Sequence, residues 1–135
     1  MAVDYSLPQR LQDYIETELN HEALYRAIAD IAPNEEEHRI FLEIADNERR
    51  HAEKFLQVYV AMTGQDYTPQ SYPRTMEGPY QFALRQLLIS EHKTFQEYHQ
   101  QFMKTDNMAL KSACYEAGKN KSDHVHKLMS LIKRS

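Results

Sequence analysis

Cysteine occurs once, as Cys114, and tryptophan not at all. A lone cysteine closes no internal disulfide, and without a Cys-x-x-Cys pair no four-cysteine zinc or iron site can be built. The single thiol fits a reducing compartment, so a cytoplasmic location is expected. Glycine and proline are scarce, at three and five residues in 135, which suits a helical soluble protein. Long apolar runs are also missing. The stretch FALRQLLI is broken by Arg85 and is far too short to cross a bilayer. Nor is there a basic stripe: the net charge is −4, with both signs interspersed. That argues against a general nucleic-acid binder and against a polybasic membrane patch. The opening MAVDYSLPQR has no charged region followed by an apolar one, so no signal peptide is expected.

What is present is helical period. The composition, 41% hydrophobic and 27% charged, fits one domain over residues 1–135 with a single core. Ser6 and Pro8 mark a start, after which Leu11, Tyr14, Ile15, Leu19, Tyr25, Ile28 and Ala29 recur at helical spacing. This predicts a helix over 8–32, ended by Pro33. Asn34 caps a second over 34–63, whose Glu35-Glu36-Glu37 turn complements the positive end of the helix dipole and which Gly64 stops. Its buried stripe is Phe41, Ile44, Ala45, Glu48, His51, Ala52, Phe55 and Leu56. The segment QDYTPQSYPRTMEG shows no period and reads as a connector. Helices over 79–104 and 107–133 follow.

Loop lengths suggest the topology. Short turns near 32–34 and 105–107 make each helix pair antiparallel. The connector of about 14 residues spans about 45 Å when extended, and a helix of about 27 residues is about 40 Å long. The connector can therefore run the length of the bundle and leave the second and third helices parallel. An up-down bundle with a loose loop is the competing arrangement.

An offset of 73 residues aligns the two helix pairs without a gap. Leu11 falls on Leu84, Glu18 on Glu91, Tyr25 on Tyr98, Asn34 on Asn107 and His51 on His124. Glu-x6-Tyr thus occurs in the first and third helices, and a histidine recurs in the second and fourth. Glutamates from two helices and Glu-x-x-His from the others, all pointing inward at one level, are how a bundle assembles an internal metal centre. Carboxylates and imidazole suit iron, manganese or zinc. Tyr25 and Tyr98, two turns beyond their glutamates, are placed to hold a carboxylate by hydrogen bonding. A single Glu-x-x-His in so acidic a chain is mostly accidental; the matched placement gives the pattern its weight.

The stretches ELNHEALY, IADNERRHAEKF and SEHKTFQEY resemble the ferritin-like superfamily, and within it the rubrerythrin branch and its short relatives. The resemblance covers nearly the whole chain. It implies an all-α ferritin-like four-helix bundle and a dinuclear iron or manganese centre that reacts with dioxygen or peroxide. By the resemblance, Glu18 and Glu91 correspond to terminal carboxylates, His51 and His124 to terminal nitrogens, and Glu48 to a bridging carboxylate. Two departures stand out. Rubrerythrins carry a further glutamate where Thr94 stands, and a rubredoxin-like iron domain that these residues do not provide, so an external electron donor is expected.

The register assigns the second bridging position to Lys121. Asp123 and His126 also form an acidic-x-x-His pair, but Asp123 is about 200° around the helix from Lys121 and faces solvent. Three carboxylates with one ammonium leave two negative charges, which suits one divalent ion rather than two. A protonated lysine has no lone pair for a metal. The expectation is therefore one tightly held iron or manganese ion, with Glu48 and Lys121 as the candidate catalytic, proton-handling residues. Two alternatives stay open. Protonated His51 and His124 would cancel the same charge without any metal, in a non-catalytic helical interaction protein. A deprotonated Lys121 would act as ligand, base or nucleophile.

His21, three after Glu18, reads as an interface-edge histidine more readily than as a ligand. His38, His92, His99 and His126 read as partly exposed, Cys114 as a small core residue, and Met62, Met103, Met108 and Met129 as gap fillers. Tyr67 and Tyr72 should pack over the bundle or against a partner. A homodimer is expected, because long bundles often pair.

Overall fold

The computed structural model describes residues 7–76 and 78–134, excluding the side chains of residues 133 and 134. Ser6, read as part of the helix start, and Glu77 of the connector lie outside the described residues. Four helices make up the fold: α1 (Leu7–Asp30), α2 (Glu35–Thr63), α3 (Tyr80–Lys104) and α4 (Met108–Arg134).

Local chemistry explains the boundaries. α1 ends two residues before the sequence-based limit. Its last carbonyls are instead taken up in tight i→i−3 bonds, with Ile31 N donating to Ile28 O at 3.1 Å and Ala32 N to Ala29 O at 3.3 Å. Asn34 caps α2 in both directions: its Oδ1 accepts from Glu37 N at 2.8 Å and its Nδ2 donates to Glu37 Oε2 at 2.6 Å. Gly64 closes α2 in the left-handed region at φ 71°, donating to Val60 O. Asn107, the repeat mate of Asn34, caps α4 through Leu110 N at 2.9 Å.

α1 packs on α2 and α3 on α4, and the two hairpins meet further through α2 and α4. Tyr14, at the start of α1, donates its hydroxyl to Gln101 near the end of α3 at 3.2 Å, so these helices are antiparallel. Tyr80, at the start of α3, donates to Glu37 at the start of α2 at 2.6 Å. The second and third helices therefore run parallel, and the crossover travels the bundle. It lies along α1. Tyr67 and Tyr72 both donate their hydroxyls to Glu16, and the Tyr67 ring tilts onto Tyr59 with centroids 5.7 Å apart.

Two apolar clusters fill the interior. One gathers Leu11, Ile15, Phe55, Tyr98, Leu110 and Cys114; the other gathers Tyr25, Ile28, Phe41, Ile44, Leu84 and Leu128. Between them sits a layer of buried charge. Three methionines depart from expectation: Met103, Met108 and Met129 are exposed rather than filling gaps, because each lies on the outer side of its helix.

A candidate metal centre

Helical period brings the charged layer together. Glu18, His21 and Tyr25 share one face of α1, Glu48 and His51 one face of α2, Glu91, Thr94 and Tyr98 one face of α3, and Lys121 and His124 one face of α4. Glu18, Glu48, Glu91 and Lys121 are all 0% exposed. The six groups singled out from the sequence converge here, and a seventh, His21, joins them.

Lys121 is the hub. Its ammonium donates to Glu48 Oε2 and to Glu91 Oε1 at 3.2 Å, and lies 3.1 Å from His21 Nδ1. Glu18 Oε2 is a further ion-pair partner at 2.9 Å. Burial alone would drive the proton off, but the charges of Glu18, Glu48 and Glu91 outweigh it and raise the pKa above the ordinary lysine range. These charges favour the ammonium form of Lys121, in which it has no lone pair to offer.

The carboxylates respond in kind. Burial opposes the ionisation of Glu48, yet Lys121 and the neighbouring His124 and His21 hold its carboxyl well below the usual value. Glu18 is likewise lowered, its burial and the nearby Glu48 charge being outweighed by Lys121 and His51. His51 Nδ1 lies 2.8 Å from Glu18 Oε1, and His124 Nδ1 lies 2.9 Å from Glu91 Oε2. Burial disfavours the His124 imidazolium, but Glu48 and Glu91 push its pKa up to about 9.

The two tyrosines differ. Tyr98 donates to Glu18 Oε2 at 2.9 Å. It holds the glutamate of the other hairpin, because seven residues of rise carry its hydroxyl away from Glu91 along α3 and towards antiparallel α1. Tyr25 interacts with Glu91 without a well-formed hydrogen bond: its hydroxyl, Glu48 Oε1 and His124 Nε2 are the buried side-chain atoms that miss hydrogen-bond geometry among the described residues.

Two sets of side chains bring donor atoms close enough for one ion. They are Glu18 with His21 and Glu48, and Glu48 with Glu91 and His124. Glu48 belongs to both. His51 belongs to neither, being turned to Glu18. His21 was placed at an interface edge because its repeat mate is Thr94, not histidine, so the 73-residue offset gave it no support. The spacing Glu18-x-x-His21, which repeats the Glu48-x-x-His51 interval, pointed to the placement the structure shows. Asp123 and His126 are exposed, as the helix period required.

The sequence matches the family model for rubrerythrin over residues 10–132. The chain belongs to the rubrerythrin family. No curated protein matches it. Within a rubrerythrin framework the buried carboxylates and imidazoles supply hard oxygen and borderline nitrogen donors, a set that fits iron or manganese. Glu48 Oε1 and His124 Nε2, which miss hydrogen-bond geometry, are the atoms such an ion and its surroundings would satisfy.

Proposed function

We propose that this rubrerythrin-family protein holds one iron or manganese ion and serves redox chemistry on dioxygen or peroxide. The observation that carries the reading is how Glu48 divides its oxygens. Oε2 belongs to Lys121, whereas Oε1 makes no well-formed hydrogen bond and faces His124 Nδ1 at 3.2 Å. One divalent ion cancels the two negative charges left by three carboxylates and one ammonium. A second would have to sit against the ammonium, where like charges repel strongly in a dry interior.

Glu48, Glu91 and His124 would hold the ion. Such an ion would supply the electron-transfer chemistry towards a small oxidant. The protein's own groups do the rest. Lys121 keeps Glu48 and Glu91 oriented and compensated, Tyr98 fixes Glu18, and the proton is handled along the hydrogen bond between the Lys121 ammonium and Glu48 Oε2. The electrons are assigned to an external donor, since one buried cysteine is no relay. We also read the protein as a cytoplasmic homodimer; no helix among the described residues is long and apolar enough to cross a membrane.

Elemental analysis of protein purified without added metal tests the reading. One equivalent of iron or manganese per chain is expected, and two would overturn it. A second reading is favoured by the pairing of Lys121 with all three glutamates out of contact with solvent. There the centre is a metal-free ion-pair network in a non-catalytic interaction protein. Protein that takes up no ion from metal-replete medium, and keeps its stability under chelation, would belong to that reading.

A further inference from the structure

The 73-residue offset lets the two halves of the charged layer be compared atom by atom. The imidazole–carboxylate contact is repeated, at 2.8 Å for His51 and Glu18 and 2.9 Å for His124 and Glu91. Beyond it the halves part. Tyr98 is bonded to Glu18, while its mate Tyr25 faces Glu91 without a well-formed hydrogen bond. Asn120, one residue before Lys121, donates its amide Nδ2 to His51 Nε2 at 2.8 Å. Its mate Asn47, one residue before Glu48, instead accepts at Oδ1 from Arg50, and His124 Nε2 goes without. All three atoms that miss hydrogen-bond geometry lie on or beside the Glu91–His124 half.

We infer that Asn120 is a positioning residue that locks His51 in a single tautomer, with its Nδ1–H held on Glu18. An amide N–H can donate to a ring nitrogen only where that nitrogen keeps its lone pair. Nε2 of His51 is therefore bare, and the ring hydrogen sits on Nδ1, where it is donated to Glu18. Both ring nitrogens are then occupied. Glu18 already has three partners, His51 at Oε1 and both Tyr98 and the Lys121 ammonium at Oε2. Across the layer the equivalent asparagine is disengaged and His124 Nε2 has no partner. An arriving ion is therefore expected to take the Glu91–His124 half first. This consequence rests on the one-ion reading; the tautomer itself does not.

Nitrogen-15 NMR of histidine-labelled, chelator-treated protein tests the inference. His51 should show a protonated Nδ1 and an unprotonated Nε2. Asn120→Ala should move those two signals towards a tautomer mixture. Asn120→Asp, which offers only an acceptor, should leave both nitrogens protonated. His38, whose Nδ1 lies 2.7 Å from Ala29 O far from the layer, should keep its shifts in all three proteins and reports that the fold is intact. A protonated Nε2 in the parent, or His51 signals unmoved by Asn120→Ala while His38 stays native, would overturn the assignment. Because the tautomer is read without metal and ion number with it, failure of one is distinguishable from failure of the other.

Discussion

At Lys121 a single side chain decides the electrostatics of the whole core. Lys121→Met would leave three buried carboxylates facing one another without their common counter-charge. Removing one partner of a buried pair typically costs about 3–5 kcal/mol. Urea unfolding of the metal-free variant should show a loss of that order, and added divalent ion should recover part of it. A variant as stable as the parent would mean the ammonium is not holding the layer together. Lys121→Glu restores the carboxylate that the register lacks, so ion uptake should rise from one equivalent to two; uptake unchanged at one would argue that the ammonium is not what excludes the second. Cys114 makes a separate test. Burial pushes its thiol up to about 12, so the folded protein should be inert to a thiol-specific reagent at pH 8 and react fully once unfolded. Rapid labelling of the native state would contradict its place in the core. Both residues were legible beforehand. Lys121 came from the register and Cys114 from its apolar stripe. His21 was legible only in part: its spacing from Glu18 allowed a ligand, but a repeat supports only what both copies share, and its mate is Thr94.

Among the elements, the helices were the most readable part because their punctuation is local. Asn34 and Asn107 each accept a backbone N–H from the first turn, and replacing either by alanine should cost about 1 kcal/mol. Denaturant midpoints would show this, and a cap substitution without effect at both positions would leave the matched termini unexplained. The crossover was readable only as a length. Its attachment, two tyrosine hydroxyls and the Gln70 N–H converging on Glu16, is a tertiary arrangement. No period announces it. Glu16→Ala should loosen this segment and speed proteolysis between residues 65 and 79, with little change in helical circular dichroism. Cleavage at the parent's rate would show that the strap is held by packing alone.

For the molecule as a whole, the charged layer couples stability to pH. Glu18 and Glu48 are held below the ordinary carboxyl value of 4.5. They therefore stabilise the fold above that value, and the contribution is lost as pH falls through their lowered pKa values. His124 is raised from 6.5 to about 9. Its contribution is complete below 6.5 and lost as pH rises towards 9. Metal-free protein should thus be most stable between about pH 4.5 and 6.5. A stability maximum at pH 8 or above would refute the assignment of charges. Of the eight large apolar side chains exposed among the described residues, Phe82, Ile89, Met103, Met108, Tyr115 and Met129 all belong to α3, α4 and their turn. This uneven surface supports pairing of chains through the second hairpin, which light scattering of the purified protein would register as twice the monomer mass; a monomer at high concentration would rule it out.

The strap lies along α1 and reaches the second hairpin only at its far end, while Lys121 draws its counter-charges from both sides. Severing the chain in that strap would therefore yield two pieces of comparable size, each holding an incomplete set of charges. The first would keep Glu18 and Glu48 without the ammonium that compensates them, while the second would keep Lys121 with Glu91 alone. Mixed together, they have a strong electrostatic reason to find one another, which makes this fold a natural candidate for reassembly from split halves.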